Sequence, residues 1–452
     1  MVSKFFYLLI FLFFYCSITI DSFESFQPEG FNYHNTARIG NKLYFLGGNH
    51  NYYHLKNFFY LDLSVPFNKN NPSWYNLDIH SIPFGVSKAA IKVNGTDSST
   101  IFLIGGERNS YNRDTFYYVY SFNSKSYIWS RLEIGGITPK WHWDMKGFNN
   151  KNNKEEIYIY GGWSNGLSNK LYILNTMNLS WTEGPDSISS RCGYTVSLLP
   201  NGIVVIIGGY VDDGNGLDKI LLYDTNKNSW DLMVTQGIQL TNRTYHSAVL
   251  VNNEEILVYG GINYINEPDL VVLNTGFQPY KWSAPNVYAP NSPPPSLYGH
   301  SADIVGNYMI IAFGYIGIYD LYNHYIYLMD IRNTKNYTWV ADFQPEENIV
   351  TKTVTTTTSV TETNIVTTTT AVSIITVIPE PFEPPEKYFI TKRWSFRLLI
   401  ECIIIFGSCF LPIRGTNSQD LRKHIDTYFF VLAIYILFVF EFNIILFSWA
   451  NF

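Results

Sequence analysis

The chain carries few side-chain sets that could do chemistry, and their spacing limits what each could do. Asp212, Asp213 and Asp218, interleaved with Gly214 and Gly216, would offer several oxygens to calcium within a short loop. Their spacing fits no calcium-loop pattern, and a solvated turn accounts for it. His246 and His300 hold equivalent positions in neighbouring repeats, which is what a structural histidine produces. No glycine-rich phosphate loop followed by Lys-Ser or Lys-Thr occurs, nor any His-Glu-x-x-His. The scattered carboxylates form no acid/base couple that the sequence can pair. What remains is recognition. Trp163-Ser164-Asn165, Tyr210-Val211-Asp212-Asp213, Asn263-Tyr264 and Tyr315 set aromatic rings near Asn or Asp. Rings offer contact area at little entropy cost and suit sugars or peptide segments.

A repeat positions these groups. Six apolar runs end in glycine, at 43–48, 101–106, 157–162, 204–209, 256–261 and 309–314, and their glycines fall 47 to 58 residues apart. Each run is followed, 20 to 27 residues on, by Trp74, Trp129, Trp181, Trp230, Trp282 or Trp339. That period is blade-sized for a propeller. Each repeat divides into four short strands separated by turn residues, which indicates all-β structure. The second strand is apolar throughout, as expected of one covered on both faces. Glycine pairs after it suit positive φ or close backbone approach. The tryptophans are expected between neighbouring blades. In the last repeat Tyr315 stands in for the second glycine.

The pattern resembles the kelch repeat, a family of β-propeller modules. The resemblance rests on the glycine-ended runs, the spaced tryptophans and the residues before them. Examples are Leu222-Tyr223-Asp224 ahead of Trp230 and Leu174-Asn175 ahead of Trp181. Blade starts of the same type read Arg243-Thr244-Tyr245-His246-Ser247 and Tyr298-Gly299-His300-Ser301. The second repeat lacks this start and the first keeps only Tyr33-His34. Seven blades with one degenerate member is therefore the alternative to six, the number of complete sets visible. The resemblance implies an all-β, six-bladed kelch-type propeller over 28–345 that binds protein partners. Tyr245-His246 and Cys192 also resemble features of the copper-radical oxidases related to galactose oxidase. That likeness would imply a Tyr and two His around one copper, with a thioether between a Cys and a second Tyr. The equivalence of His246 and His300 speaks against it, as does the Thr-rich tract that follows the blades at once. The oxidase is the alternative to a binding module, for which no metal or cofactor is expected.

The flanks place the propeller. Lys4 and the apolar stretch 5–15 read as an export signal over 1–20, with Ser17 and Thr19 near a small-residue cleavage site. Asn94, Asn178, Asn242 and Asn336 head Asn-x-Ser/Thr triplets, acceptors for N-glycosylation in such a compartment. Only Cys192 among four cysteines lies in the repeats, so no disulfide forms within them. Thr and Val dominate 351–370, and Pro and Glu 379–385, which reads as a disordered, O-glycosylated stalk over 346–387. Extended at about 3.1 Å per residue, it would reach on the order of 110 Å. Residues 428–449 hold one charge, Glu441, and are long enough to span a bilayer. Residues 398–413, with Glu401, form a marginal transmembrane or interfacial helix, leaving one span or a helical hairpin open. Basic residues flank that segment on both sides and do not fix its orientation. A net charge of −6 and a pI near 5.9 argue against a nucleic-acid partner. The expectation is a membrane protein of the secretory pathway, at the plasma membrane with the propeller outside.

Antiparallel blade strands put alternate loops on the same face. Asn94 falls in a one-to-two turn and Asn178 and Asn336 in three-to-four turns, all on one side, whereas Asn242 lies between blades. The opposite face, of two-to-three and inter-blade loops, is the expected binding face for a protein or glycan ligand. Its candidates are Trp163, Asn165, Tyr210, Asp212, Tyr264 and Tyr315 from the loops. Trp141, His142, Arg191, Arg243 and Tyr298 join them from between the blades.

Overall fold

The computed structural model describes residues 26–346, apart from 95–97, 109–118, 141, 151–152, 154, 212–216, 263–266 and 291–292. The signal over 1–20, the stalk beyond Glu346, both apolar segments (398–413 and 428–449), Trp141, Asp212, Asp213 and Tyr264 lie outside them.

Six sheets follow one another in chain order, each built on four antiparallel strands, and in blades 3, 5 and 6 a two-residue strand from the preceding connection (Gly135–Gly136, Gln236–Gly237, Val287–Tyr288) pairs parallel with the fourth. Their inner strands are Asn35–Ile39, Ala90–Asn94, Lys146–Asn149, Thr195–Leu198, Ser247–Val251 and Ser301–Val305. Each inner strand packs against the inner strands on either side, and that of blade 6 returns to blade 1. The apolar runs are the second strands: Lys42–Leu46, Thr100–Ile104, Glu156–Tyr160, Ile203–Ile207, Glu255–Tyr259 and Tyr308–Ala312. In all six, the first residue is half-buried and the next four are buried. A strand sandwiched between two neighbouring blades has no solvent face, so it shows no alternation.

The blade count is settled by a closed cycle of backbone hydrogen bonds. The N–H groups of Tyr33, Gly299, Tyr245, Gly193, Asp144 and Lys88 donate in turn to the carbonyls of Gly299, Tyr245, Gly193, Asp144, Lys88 and Tyr33, at 2.7 to 3.3 Å. All six residues have positive φ, between 52° and 65°. The propeller has six blades, and the cycle leaves no place for a seventh.

Six apolar clusters fill the six seams, and each holds one of the repeated tryptophans. Indole N–H groups of Trp129, Trp230 and Trp282 reach across to the carbonyls of His80, Pro185 and Leu217. The glycine pairs serve the same seams. A Cβ on Gly47 would lie 2.1 Å from Val86 O of the next blade, and one on Gly260 2.2 Å from Leu297 O. The last repeat differs from its expected alignment. Phe313, at φ 57°, takes the place of the first glycine, and Gly314, at φ 93°, is the second. Tyr315 therefore follows the pair rather than interrupting it. A left-handed residue costs roughly 1–2 kcal/mol. Burying the phenyl ring, worth about 1.5–3 kcal/mol, offsets that cost: Phe313 is fully buried against Phe31, Phe45, Phe59 and Trp74.

Among the described residues no strand is exchanged at ring closure: blade 1 is built from 35–76 and blade 6 from 287–340. Short segments staple the join instead. Asp342–Phe343 pairs antiparallel with Phe67–Asn68, the rings of Phe67 and Phe343 stack at 4.7 Å, and Gly314 N–H donates to Phe31 O.

Candidate binding face

The cycle of positive-φ residues rims the axis where the blades begin, and its side chains differ at each step. Lys88 is the centre of the group. Its Nζ lies 4.5 Å from the ring centroid of Tyr33, 4.7 Å from Trp143 and 5.5 Å from Tyr245, and 3.6 Å from Glu107 Oε2. Aromatic faces attract a cation held at such distances. Asp144 is 4% exposed, and burial pushes its carboxyl up against the pull of Lys88 and Lys146. Its Oδ2 makes no hydrogen bond of sound geometry. Burial, with Asp144 beside them, also raises the Tyr245 hydroxyl and the Cys192 thiol, so this cysteine is a protonated packing residue.

From this mouth a continuous track of aromatic rings runs to the rim. Tyr210 meets Tyr245 at 6.4 Å, Tyr245 meets Tyr33 at 4.9 Å, and Tyr33 meets Tyr298 at 6.4 Å. Tyr298 then meets Tyr315 at 5.2 Å, Tyr315 meets Tyr322 at 4.9 Å, and Tyr322 stacks on His50 at 4.3 Å. Blade 4 contributes the first ring and blades 5, 6 and 1 the rest. The track ends at a hairpin whose two-residue loop, Asn51-Tyr52, has φ of 49° and 66°. Such loops favour glycine at the second position. Here Tyr52 occupies it and is 94% exposed, with Tyr53, Tyr319, Leu321 and Tyr325 exposed nearby in the same pair of blades.

The remaining sequence candidates separate into two groups. Trp163, Asn165 and Tyr210 are exposed, and Tyr298 and Tyr315 are half-buried members of the track. Arg191, Arg243 and His142 are buried. Arg243 Nη1 donates to Asp269 O, and its Nη2 to Pro268 O and, at 3.5 Å, to Glu267. Arg191 Nη1 donates to Gly208 O at 3.0 Å. His142 Nδ1 sits 2.6 Å from Lys140 O, and its carbonyl accepts from Gly106 N–H. These residues sit two before the axial position, where every blade start meets the preceding glycine pair. That makes them seam residues. Tyr33, Lys88, Asp144, Trp143, Tyr322 and Tyr52 were absent from the sequence candidates. The repeat register alone could have pointed to Lys88 and Asp144.

The two histidines of the copper reading lie in successive seams. His246 Nε2 is 2.9 Å from Thr195 Oγ1, and His300 Nε2 is 2.7 Å from Ser247 Oγ. His34 Nε2 makes the same contact with Ser301 Oγ, at 2.9 Å. Three equivalent histidines each latch a hydroxyl of the preceding blade. Among the described residues, no three His, Cys, Asp or Glu side chains are grouped to hold a metal.

Comparison with known proteins places this architecture. A family model described as the Attractin/LZTR1 β-propeller matches residues 18–271, and one described as the KLHDC2/KLHL20/DRC7 Kelch-repeats domain matches 193–370. Adagio-like protein 1 of Oryza sativa subsp. japonica is 24% identical over 316 residues, 64% of this chain and 47% of that protein. Kelch domain-containing protein 1 of Homo sapiens is 27% identical over 166 residues, 35% of this chain and 38% of that protein. The chain thus spans less than half the length of these curated relatives. The solved structure described as YjhT superposes with a TM-score of 0.54 at 13% identity, over 70% of this chain and 98% of that one, a likeness of fold alone. With its six closed blades and their glycine and tryptophan signature, the chain belongs to the kelch-repeat β-propeller family, of the Attractin/LZTR1 type.

Proposed function

We propose that this propeller is a non-catalytic recognition module that engages a protein partner across the axial mouth and the aromatic track. The observation that carries the reading is Tyr52. A residue that a tight hairpin disfavours stands 94% exposed at the end of a line of seven rings in stacked, tilted or edge-on contact. Backbone strain with no packing in return marks a position held for contact with something else. Interfaces draw their binding energy from such aromatic anchors, and a partly desolvated Lys88 would add charge selectivity. A glycan ligand is a finer version of the same reading, because the rings would serve it too.

The sequence supports display outside the cell. The apolar leader, the Thr/Pro-rich tract and the apolar segments 398–413 and 428–449 together suit an exported propeller carried on a stalk above a membrane. The test is proximity labelling with the full chain, followed by affinity measurement for each captured protein. Tyr52→Ala with Tyr53→Ala is expected to weaken the partner at least tenfold while leaving the melting temperature unchanged. Undiminished affinity in that variant would move the site elsewhere.

A further inference from the structure

The four Asn-x-Ser/Thr triplets are unequal in the folded chain. Asn94 is 4% exposed, and its Nδ2 donates to Thr176 Oγ1 of the next blade at 3.3 Å. Asn242 is half-buried. Its Nδ2 donates to Gly209 O at 2.7 Å, and its Oδ1 is buried without a partner. In both, the nitrogen that a glycan would occupy is pressed against a neighbouring blade. Asn178 and Asn336 are exposed instead. They also share one setting. Each is the third residue after another asparagine, Asn175 or Asn333, whose side chain caps the turn: Asn175 Oδ1 accepts from Met177 and Asn178 N–H, and Asn333 Oδ1 from Lys335 N–H. Each turn joins strands three and four, in blade 3 and in blade 6. Three steps apart in a ring of six, these blades stand opposite one another.

We infer that N-glycans are carried by Asn178 and Asn336 alone, whereas Asn94 and Asn242 are bare structural amides. The sugars then project from opposite sides of the ring, on the face away from the aromatic track, and leave the mouth clear. Blades 3 and 6 would present them symmetrically, one on each side of the axis. Nothing on the track side needs to move to accommodate them.

This inference rests on export of the chain, so the test separates the two. The full chain is expressed in a eukaryotic secretory cell behind its own leader and, in parallel, behind an unrelated cleavable leader. Glycopeptide mass spectrometry then reads each asparagine. With the unrelated leader, Asn178→Gln and Asn336→Gln should each remove one mobility step, and the double variant should migrate like enzymatically deglycosylated protein. Asn94→Gln and Asn242→Gln should leave mobility unchanged and lower the melting temperature. Sugar on Asn94 or Asn242 in folded protein, or bare Asn178 and Asn336, would overturn the assignment. Glycans with the unrelated leader but none with the native one would leave the acceptors standing and overturn export.

Discussion

Adjacent positions at each blade start behave in opposite ways. At the axial position stand Tyr33, Lys88, Asp144, Gly193, Tyr245 and Gly299, with one backbone conformation and four residue types. One residue later stand His34, Ala89, Met145, Tyr194, His246 and His300, all buried in the seams. The cycle of hydrogen bonds uses only N–H, C=O and positive φ, so it leaves the axial side chain unconstrained. The seam asks for volume and, where a hydroxyl faces it, for a matching nitrogen. What recurs around the ring builds it; what varies is available to a ligand.

The largest effect should come from a seam tryptophan. Trp282→Ala empties the join between blades 4 and 5 and strands Leu217 O, and should cost about 3–5 kcal/mol, read as a lower urea midpoint at unchanged slope. Phe343→Ala tests whether the unexchanged join between blades 6 and 1 is as demanding; a cost below about 1 kcal/mol would mean the staple is dispensable. Arg243→Met removes a buried guanidinium from three backbone carbonyls and Glu267 and should cost about 3 kcal/mol. A neutral outcome would return Arg243 to the list of ligand contacts.

The histidine latches predict a pH dependence with a definite sign. Burial holds His34, His246 and His300 at about 3, below the ordinary 6.5. The unfolded chain takes up these protons first, so their contribution is complete above about pH 6.5 and is lost as pH falls towards 3. Asp303, raised to about 6, and Asp144, also raised, act in the other direction. Their contribution is complete below the ordinary 3.8 and is lost as pH rises through the folded values. Burial also lowers His54 and His142, so five histidines stand against two carboxylates and stability should rise with pH between about 4 and 6. His246→Gln should flatten that slope and Asp303→Asn should steepen it, both read from urea midpoints across pH. The smallest effect on folding belongs to the mouth. Lys88→Met should shift stability by no more than about 0.5 kcal/mol while weakening a partner at least tenfold.

Much of the fold was legible because it is periodic: apolar runs, glycine pairs and tryptophans recur at blade spacing, and each maps onto a seam. The site was far less so. Arg191 and Arg243 read as loop cations because an inter-blade connection looks like a surface loop until its carbonyl is seen to accept from the preceding blade's glycine N–H and its guanidinium to reach a glycine carbonyl of its own blade. The axial cycle was hidden because its common property is a dihedral angle, and residues as unlike as Lys88, Asp144 and Gly299 share it. Phe313 escaped notice for the same reason, a left-handed position held by a phenylalanine. The outer part of the track joins Tyr33 and His50 to Tyr298, Tyr315 and Tyr322, two groups more than two hundred residues apart in sequence that meet only because blade 6 closes on blade 1.

Hydrogen exchange of the propeller with and without its captured partner tests the division between building and binding surfaces most directly. Added protection should appear at 30–34, 49–54, 143–144 and 315–325, around the mouth and along the track. Protection confined to the turns at 176–180 and 333–336, with the mouth unchanged, would contradict it.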